Sequence, residues 1–304
     1  MPYGYLVADV FTTERFAGNP AAVVLDAGGL AAEQMQAVAA EFNLSETTFV
    51  LPPQSGAADV RFRWFTPAVE VRMCGHATIA GVHAMLETQR WRPEGAEGEA
   101  VLRIETVSGV LEARRERIPS PAGADIIWLE LLEPKLVDKV PPVTALSEAL
   151  NLPQDAFVFS PPAARTQDDD LIVLVRDVVA LNAARLDRGR LVTMCRLQGL
   201  RGLCVATVHT LTPAVAVQSR FFAPACGVDE DPVTGSVHGP LGAYLVRHGL
   251  VRVVDGKAGM LCVQGRAGAR AGLVHVLVHG IADDAMRVRI GGQAVTVMSG
   301  NLLL

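Results

Sequence analysis

The chain has 304 residues, half of them hydrophobic, and a formal net charge of −5, enough for a large core in one big domain or two of ordinary size. Charges of both signs are scattered along it, which excludes the basic stripe of a nucleic-acid binder and a single-sign tail. Apolar runs such as LIVLVRDVVAL (171–181) are short and broken by Arg or Asp, which excludes a membrane-spanning helix; with no basic region leading into a long apolar N-terminus, a soluble cytoplasmic protein is expected.

YLVADVF (5–11) reads as a strand, FAGNP (16–20) as a turn and AAVVL (21–25) as the next strand. In 31–42 the larger apolar residues Met35, Val38, Ala39 and Phe42 recur at helical spacing. Asn43 closes that helix, and ETTFVL (46–51) becomes a strand with an acidic residue at its mouth. Val60, Phe62 and Trp64 alternate with Arg61 and Arg63, the signature of a half-buried strand, and Pro67 stops it. A small-residue helix is expected over 77–88 and strands over 100–115 about the turn VSG. ERIPSPAGAD (116–125) has prolines, glycine and no periodicity, so it reads as a linker.

The same order then restarts. Strands are expected at DIIWLELL, AFVFS, LIVLVR, GLCVATVHT and AVAVQSRFFAP, and helices at 142–150, within 177–191 and over TGSVHGPLGAYLVRHG. Aligning Pro67 with Pro224 also matches Phe65 with Phe222 and sets Cys74 opposite Asp231. Each half reads strand, Phe-x-Pro, loop, glycine-containing helix start, small-residue helix. That shared order suggests an internal duplication.

The helix starts are where chemistry can sit. MCGHAT places Cys74, Gly75 and His76 ahead of one helix, and EDPVTGS places Asp231, Thr234, Gly235 and Ser236 ahead of the other. Glycine admits close backbone approach, and a helix N-terminus offers unpaired N–H groups and a positive dipole end. Facing each other across a cleft, two such ends would suit a small carboxylate or an enolate formed beside one. Taken singly, the glycines are also ordinary turn residues, Thr234 and Ser236 ordinary caps, Asp231 an N-terminal helix charge and Glu46 a turn cap. Cys74 and His76 are a CxH pair without a third or fourth metal ligand, so no metal is expected. The other cysteines, Cys195, Cys204, Cys226 and Cys262, form no CxxC pair, and buried thiols are expected rather than disulfides or structural zinc.

Together, NLSETTF (43–49), MCGHAT (73–78), FFAPACGVDEDPVTGSVHGPLGAYL (221–245), FAGNPAAVV (16–24) and GGQAVTV (291–297) resemble the PhzF-like phenazine-biosynthesis isomerase family, of the diaminopimelate-epimerase fold, from near residue 5 to near residue 300. The resemblance implies an α+β protein of two pseudo-symmetric domains, each a β-barrel-like sheet around a central helix, with the active site in the cleft between them. Domains of 1–118 and 119–284 are expected, the last strand (about 285–304) returning to the first. It implies no metal or organic cofactor, a homodimer and a small carboxylic-acid substrate of the dihydro-hydroxyanthranilate kind, with no nucleic-acid or membrane partner. Its acid–base residue falls on Glu46, its other catalytic residues on His76 and Asp231, and its substrate contacts on Asn19, Cys74, Gly75, Thr234, Gly235 and Ser236. A partly desolvated carboxylate at Glu46 would have a raised pKa suited to moving protons. Related epimerases use two opposed cysteines; Cys74 matches the first position, but the second motif has DP where a thiol is expected. One-base isomerisation through Glu46 is therefore favoured over epimerisation through Cys74, and a non-catalytic ligand-binding protein is the third possibility.

Overall fold

A computed structural model describes residues 3–93, 100–117, 125–131, 133–139, 141–266, 268–281 and 286–304. The core of the expected linker, 118–124, and the 284/285 join lie outside the described residues. The chain divides into two compact units, Met1–Glu130 with Gly291–Leu304, and Leu131–Ile290.

In the first unit β1 (Tyr3–Val10) pairs antiparallel with β2 (Asn19–Val24). Helix α1 (Ala32–Phe42) crosses to β3 (Thr47–Leu51), which lies parallel to β2. Next come β4 (Val60–Phe65), the short β5 (Glu70–Val71) and α2 (Gly75–Glu87), which crosses to β6 (Ala100–Thr106), parallel to β4. β7 (Gly109–Glu116) and β8 (Ile126–Leu131) follow as antiparallel neighbours. In the second unit, β9 (Leu136–Asp138), α3 (Val143–Leu150), β10 (Phe157–Val158) and β11 (Ala164–Thr166) lead to β12 (Asp170–Val175). Helices α4 (Val178–Ala183) and α5 (Arg188–Gln198) then cross to β13 (Gly202–Thr207), parallel to β12. After β14 (Val217–Ala223) and β15 (Val228–Asp231), α6 (Gly235–Arg247) crosses to β16 (Ala258–Gly265), parallel to β14. β17 (Ala271–His279) pairs with β16, and β18 (Arg287–Gly292) precedes β19 (Ala294–Leu302), which pairs with β1 along its length. Parallel strands need such crossovers because a short turn cannot bring the chain back to the same edge direction.

The two units thus repeat one order of elements, and the repeat extends to side chains. Arg63 on β4 grips Glu70 with Nε and Nη2 at 2.7 and 2.8 Å and lies over the Phe65 ring. Arg220 on β14 grips Glu230 at the same distances and lies over Phe222. The duplication is therefore written as Arg-x-Phe-x-Pro, which aligns without a gap in the bare sequence, with a glutamate that the longer second turn displaces. One part of that alignment needs correction. Trp64 pairs with Val71, whereas Phe221 pairs with Asp231 across a turn three residues longer. The longer turn moves the match forward, so the counterpart of Cys74 is Thr234, each the N-cap of its helix, and not Asp231.

Each unit is organised around a buried helix. Ten residues of α2 are buried, and the helix packs on β1, β2, β3, β4 and β19. Small residues make this approach possible: a Cβ at Gly81 would lie 2.6 Å from the Phe62 ring. Gly242 plays the same part on α6, where a Cβ would lie 2.6 Å from Val276 Cγ1. Val60, Phe62 and Trp64 all point inward from β4 as their alternation requires, and each large side chain so buried contributes about 1.5–3 kcal/mol. Met35, Val38 and Ala39 are buried on α1, with Phe42 packed against the same cluster. Helix α2 starts at Gly75, two residues before the expected start, so Gly75 and His76 belong to its first turn. Where one helix is expected within 177–191 there are two, α4 and α5, and α5 runs on to Gln198. Among the described residues no helix is long and apolar enough to cross a membrane. All five cysteines are free thiols, and all but Cys226 are buried. Burial pushes the thiols of Cys195 and Cys262 up to about 11 and about 12.

Candidate functional site

Glu46 is the last residue before β3, and its backbone carbonyl accepts a hydrogen bond from Ala22 N of the neighbouring strand at 3.3 Å. The strand mouth is thus tied to β2, and the side chain reaches the start of α2. Its Oε2 lies 3.2 Å from Nε2 of His76, a buried side chain in the first turn. The other ring nitrogen, Nδ1, lies 3.4 Å from Cys74 Sγ. The fold therefore brings carboxylate, imidazole and thiol together in one compact cluster. Thr78 supports the helix start by donating to the Cys74 carbonyl at 2.6 Å, and Thr48 donates to Ala77 O at 2.7 Å. Donor atoms of Glu46, Cys74 and His76 lie within 4.8 Å of one another. Asn19, the first residue of β2, is fully buried and pairs in register with Val10.

The second unit holds the remaining sequence-derived candidates. Asp231 ends β15, and Thr234 Oγ1 donates a short hydrogen bond to its carboxylate. Gln264 of β16 clamps both: its Oε1 accepts from Thr234 N at 3.0 Å, and its Nε2 donates to Asp231 O at 2.8 Å and to Thr234 Oγ1 at 3.1 Å. Gln264 is absent from the sequence reading, yet a signal existed. It continues the inward phase of Ala258, Met260 and Cys262, and a fully polar side chain in a core register must have partners. Gly235 and Ser236 open α6, and Ser236 Oγ accepts from Arg201 Nη2 at 3.3 Å. His238, one turn on, is fully buried, with Nδ1 2.8 Å from Thr234 O and Nε2 3.4 Å from Ser219 Oγ. It repeats the role of Thr78, bonding the N-cap carbonyl four residues back.

Burial holds His238 neutral and lowers its pKa to about 4. The unfolded chain, with an ordinary histidine near 6.5, binds that proton first, so stability is full above about pH 6.5 and falls as pH drops toward 4. Between pH 7 and pH 5 this group is expected to remove roughly 2 kcal/mol. Urea unfolding of wild type and His238→Asn at both pH values checks it: the loss should be smaller in the variant, and equal losses would contradict the assignment.

A recess of about 540 Å³ near the C-terminal end of α2, lined by residues including His83, Glu87, Trp91 and Arg115, contains none of the candidate residues.

A family model described as phenazine biosynthesis-like protein matches residues 8–300. An uncharacterised isomerase of Clostridium acetobutylicum is 31% identical, the alignment covering 99% of this chain and 98% of that one. Another, of Salmonella typhimurium, is 36% identical over 94% of each chain. A crystal structure of a Bacillus anthracis phenazine biosynthesis protein of the PhzF family superposes with a TM-score of 0.88 at 28% identity, covering 100% of both chains. A hydroxyproline epimerase of Agrobacterium vitis, with trans-4-hydroxy-L-proline bound, shares the fold at a TM-score of 0.62 and 17% identity, covering 100% of this chain and 93% of that one.

Proposed function

The chain belongs to the phenazine biosynthesis-like family of isomerases, and from that premise we propose that it moves one proton between two carbons of a small unsaturated carboxylic acid, with Glu46 as the single acid–base group. The observation that carries this reading is the chain Glu46–His76–Cys74, with contacts of 3.2 and 3.4 Å. Glu46 removes a proton from an activated C–H. The electron pair left behind spreads into the conjugated system ending at the substrate carboxylate, and Glu46 returns the proton at the far carbon. Bonds and charges balance without an oxidant or reductant. His76, in contact with the carboxylate at 3.2 Å, keeps it aimed through both steps. In the second unit, the first turn of α6 and Ser236 are proposed to bind a carboxylate through helix N–H groups and the hydroxyl. Asp231, held by Thr234 and Gln264, is proposed to orient polar groups of the ligand. A six-membered, dihydro-hydroxyanthranilate-like amino acid fits this scheme.

The thiol–imidazole contact supports a second reading, epimerisation with Cys74 as one acid–base. Two-thiol epimerisation needs a cysteine at the equivalent position of the other unit. That position is Thr234, whose hydroxyl is a far weaker acid than a thiol. The deciding experiment is incubation with a panel of small carboxylic acids in heavy water, followed by mass spectrometry and chiral analysis. A constitutional isomer carrying deuterium supports the proposal. A stereoisomer supports epimerisation, and no deuterium in any acid supports a ligand-binding protein. Cys74→Ala is expected to keep activity within about tenfold of wild type, the loss of one supporting hydrogen bond. Complete loss in a folded Cys74→Ala variant would favour epimerisation.

A further inference from the structure

The two helix starts carry opposite charges at matching places. In the first unit, the residue just before the crossover strand β3 is Glu46, and it touches His76, the second residue of α2, at 3.2 Å. In the second unit, the residue just before the crossover strand β13 is Arg201, and it touches Ser236, the second residue of α6, at 3.3 Å. The duplication has kept the contact while replacing a carboxylate by a guanidinium and an imidazole by a hydroxyl.

Arg201 is firmly held. Its Nε donates to Asp170 Oδ1 at 2.8 Å, its Nη2 makes a short hydrogen bond to Asp170 Oδ2, and its guanidinium lies over the Phe221 ring. Asp170 heads β12 and is 1% exposed, so the fork rests on an anchor with no freedom to move. Parallel pairing sets Asp170 beside Gly202, which puts Arg201 next to the carboxylate. A guanidinium only donates, while a serine hydroxyl has one hydrogen and two lone pairs. The Arg201 contact therefore occupies a lone pair of Ser236, and the single hydroxyl hydrogen is left to point elsewhere.

We propose that Arg201 is a positioning residue for ligand binding: seated on Asp170, it donates to Ser236 Oγ and so presents the Ser236 hydroxyl as a hydrogen-bond donor to a bound carboxylate. The inference rests on the reading of the α6 start as a carboxylate site and adds to it the residue that orients its donor. Lysine cannot replace arginine here, because a point charge that keeps Asp170 paired lacks the second arm that reaches Ser236.

The test is a double-mutant cycle on the full chain. Wild type, Arg201→Lys, Ser236→Ala and the double variant are titrated calorimetrically with 2-aminobenzoate, trans-4-hydroxy-L-proline and acetate, and melted in parallel. Ser236→Ala is expected to weaken carboxylate binding at least about tenfold, as for a lost hydrogen bond to a charged group. Arg201→Lys should weaken it severalfold, and the double variant should bind no worse than Ser236→Ala alone, because the two residues act as one unit. A purely structural role for Arg201 would lower the melting temperature and weaken binding equally in both backgrounds, and that additivity overturns the proposal. So does an Arg201→Lys variant that binds like wild type while Ser236→Ala does not. If Ser236→Ala has no effect, or wild type binds none of the acids, both this proposal and the carboxylate reading of α6 are wrong. Glu46 is untouched throughout, so the acid–base assignment stands or falls separately.

Discussion

Glu46→Gln is expected to lower turnover by about 10²–10⁴-fold, the range for losing a general acid–base, while leaving the fold intact. Glutamine has the shape of glutamate and can keep the 3.2 Å contact with His76 Nε2. What it lacks is a lone pair basic enough to take a proton from carbon. Exchange of solvent deuterium into recovered substrate should fail together with isomerisation, because both pass through the same abstraction step. Alanine at His76 or Asp231 should instead damage binding as well as rate, since those groups are proposed to orient. The measurement is turnover and deuterium incorporation by mass spectrometry, with melting curves as the folding control. Turnover of Glu46→Gln within a few-fold of wild type would reduce Glu46 to a turn residue and end the one-base mechanism.

The second large effect is on stability, and it uses the duplication as its own control. Arg220 is 3% exposed. Beyond its fork on Glu230 it donates to the carbonyls of Leu181 and Ala184 at 3.1 and 2.8 Å, closing the C-terminal end of α4. Arg220→Ala strips partners from a carboxylate and two carbonyls at once and is expected to cost about 3–5 kcal/mol, as when one member of a buried pair is removed. For a unit of this size that corresponds to a fall of roughly 10 °C in melting temperature. Arg63 makes the same fork on Glu70 but is more exposed, 18% against 4% by side chain, and among the described residues no backbone carbonyl is one of its partners. Water can replace much of what Arg63→Ala removes, and the expected cost is about 1 kcal/mol or less. Urea unfolding of the two variants side by side measures the difference. Equal losses would show that burial of Arg220 is not what makes the motif stabilising in the second unit.

Several features were legible from the residues alone because their cause is local. The alternation of Val60, Phe62 and Trp64, and the helical spacing of Met35, Val38 and Ala39, follow from the periods of strand and helix. Asn43 closes α1 with φ 50°, a conformation that asparagine tolerates. Gln264 was legible and missed: its place in the inward phase of β16 could have been read as a buried amide that needs partners. The alignment of Cys74 with Asp231 failed for a different reason. Counting from Pro67 and Pro224 assumes turns of equal length, and only the pairings Trp64 with Val71 and Phe221 with Asp231 reveal the three extra residues.

The sequence by itself determined the order of elements, the internal repeat, the family resemblance and a short list of candidate site residues. These are properties of neighbours along the chain, set by backbone geometry, side-chain period and turn chemistry. Tertiary structure alone decided which residues touch. Glu46 meets His76 because α1 carries the chain across to a strand parallel to β2, ending its approach against the first turn of α2. Arg201 meets Asp170 and Ser236 because β12 and β13 are parallel neighbours and α6 starts beside them. Each of these contacts joins residues about 30 or more apart in sequence. No local period encodes such a meeting. It arises from crossover geometry and strand register, which exist only once the sheet has formed around its helix.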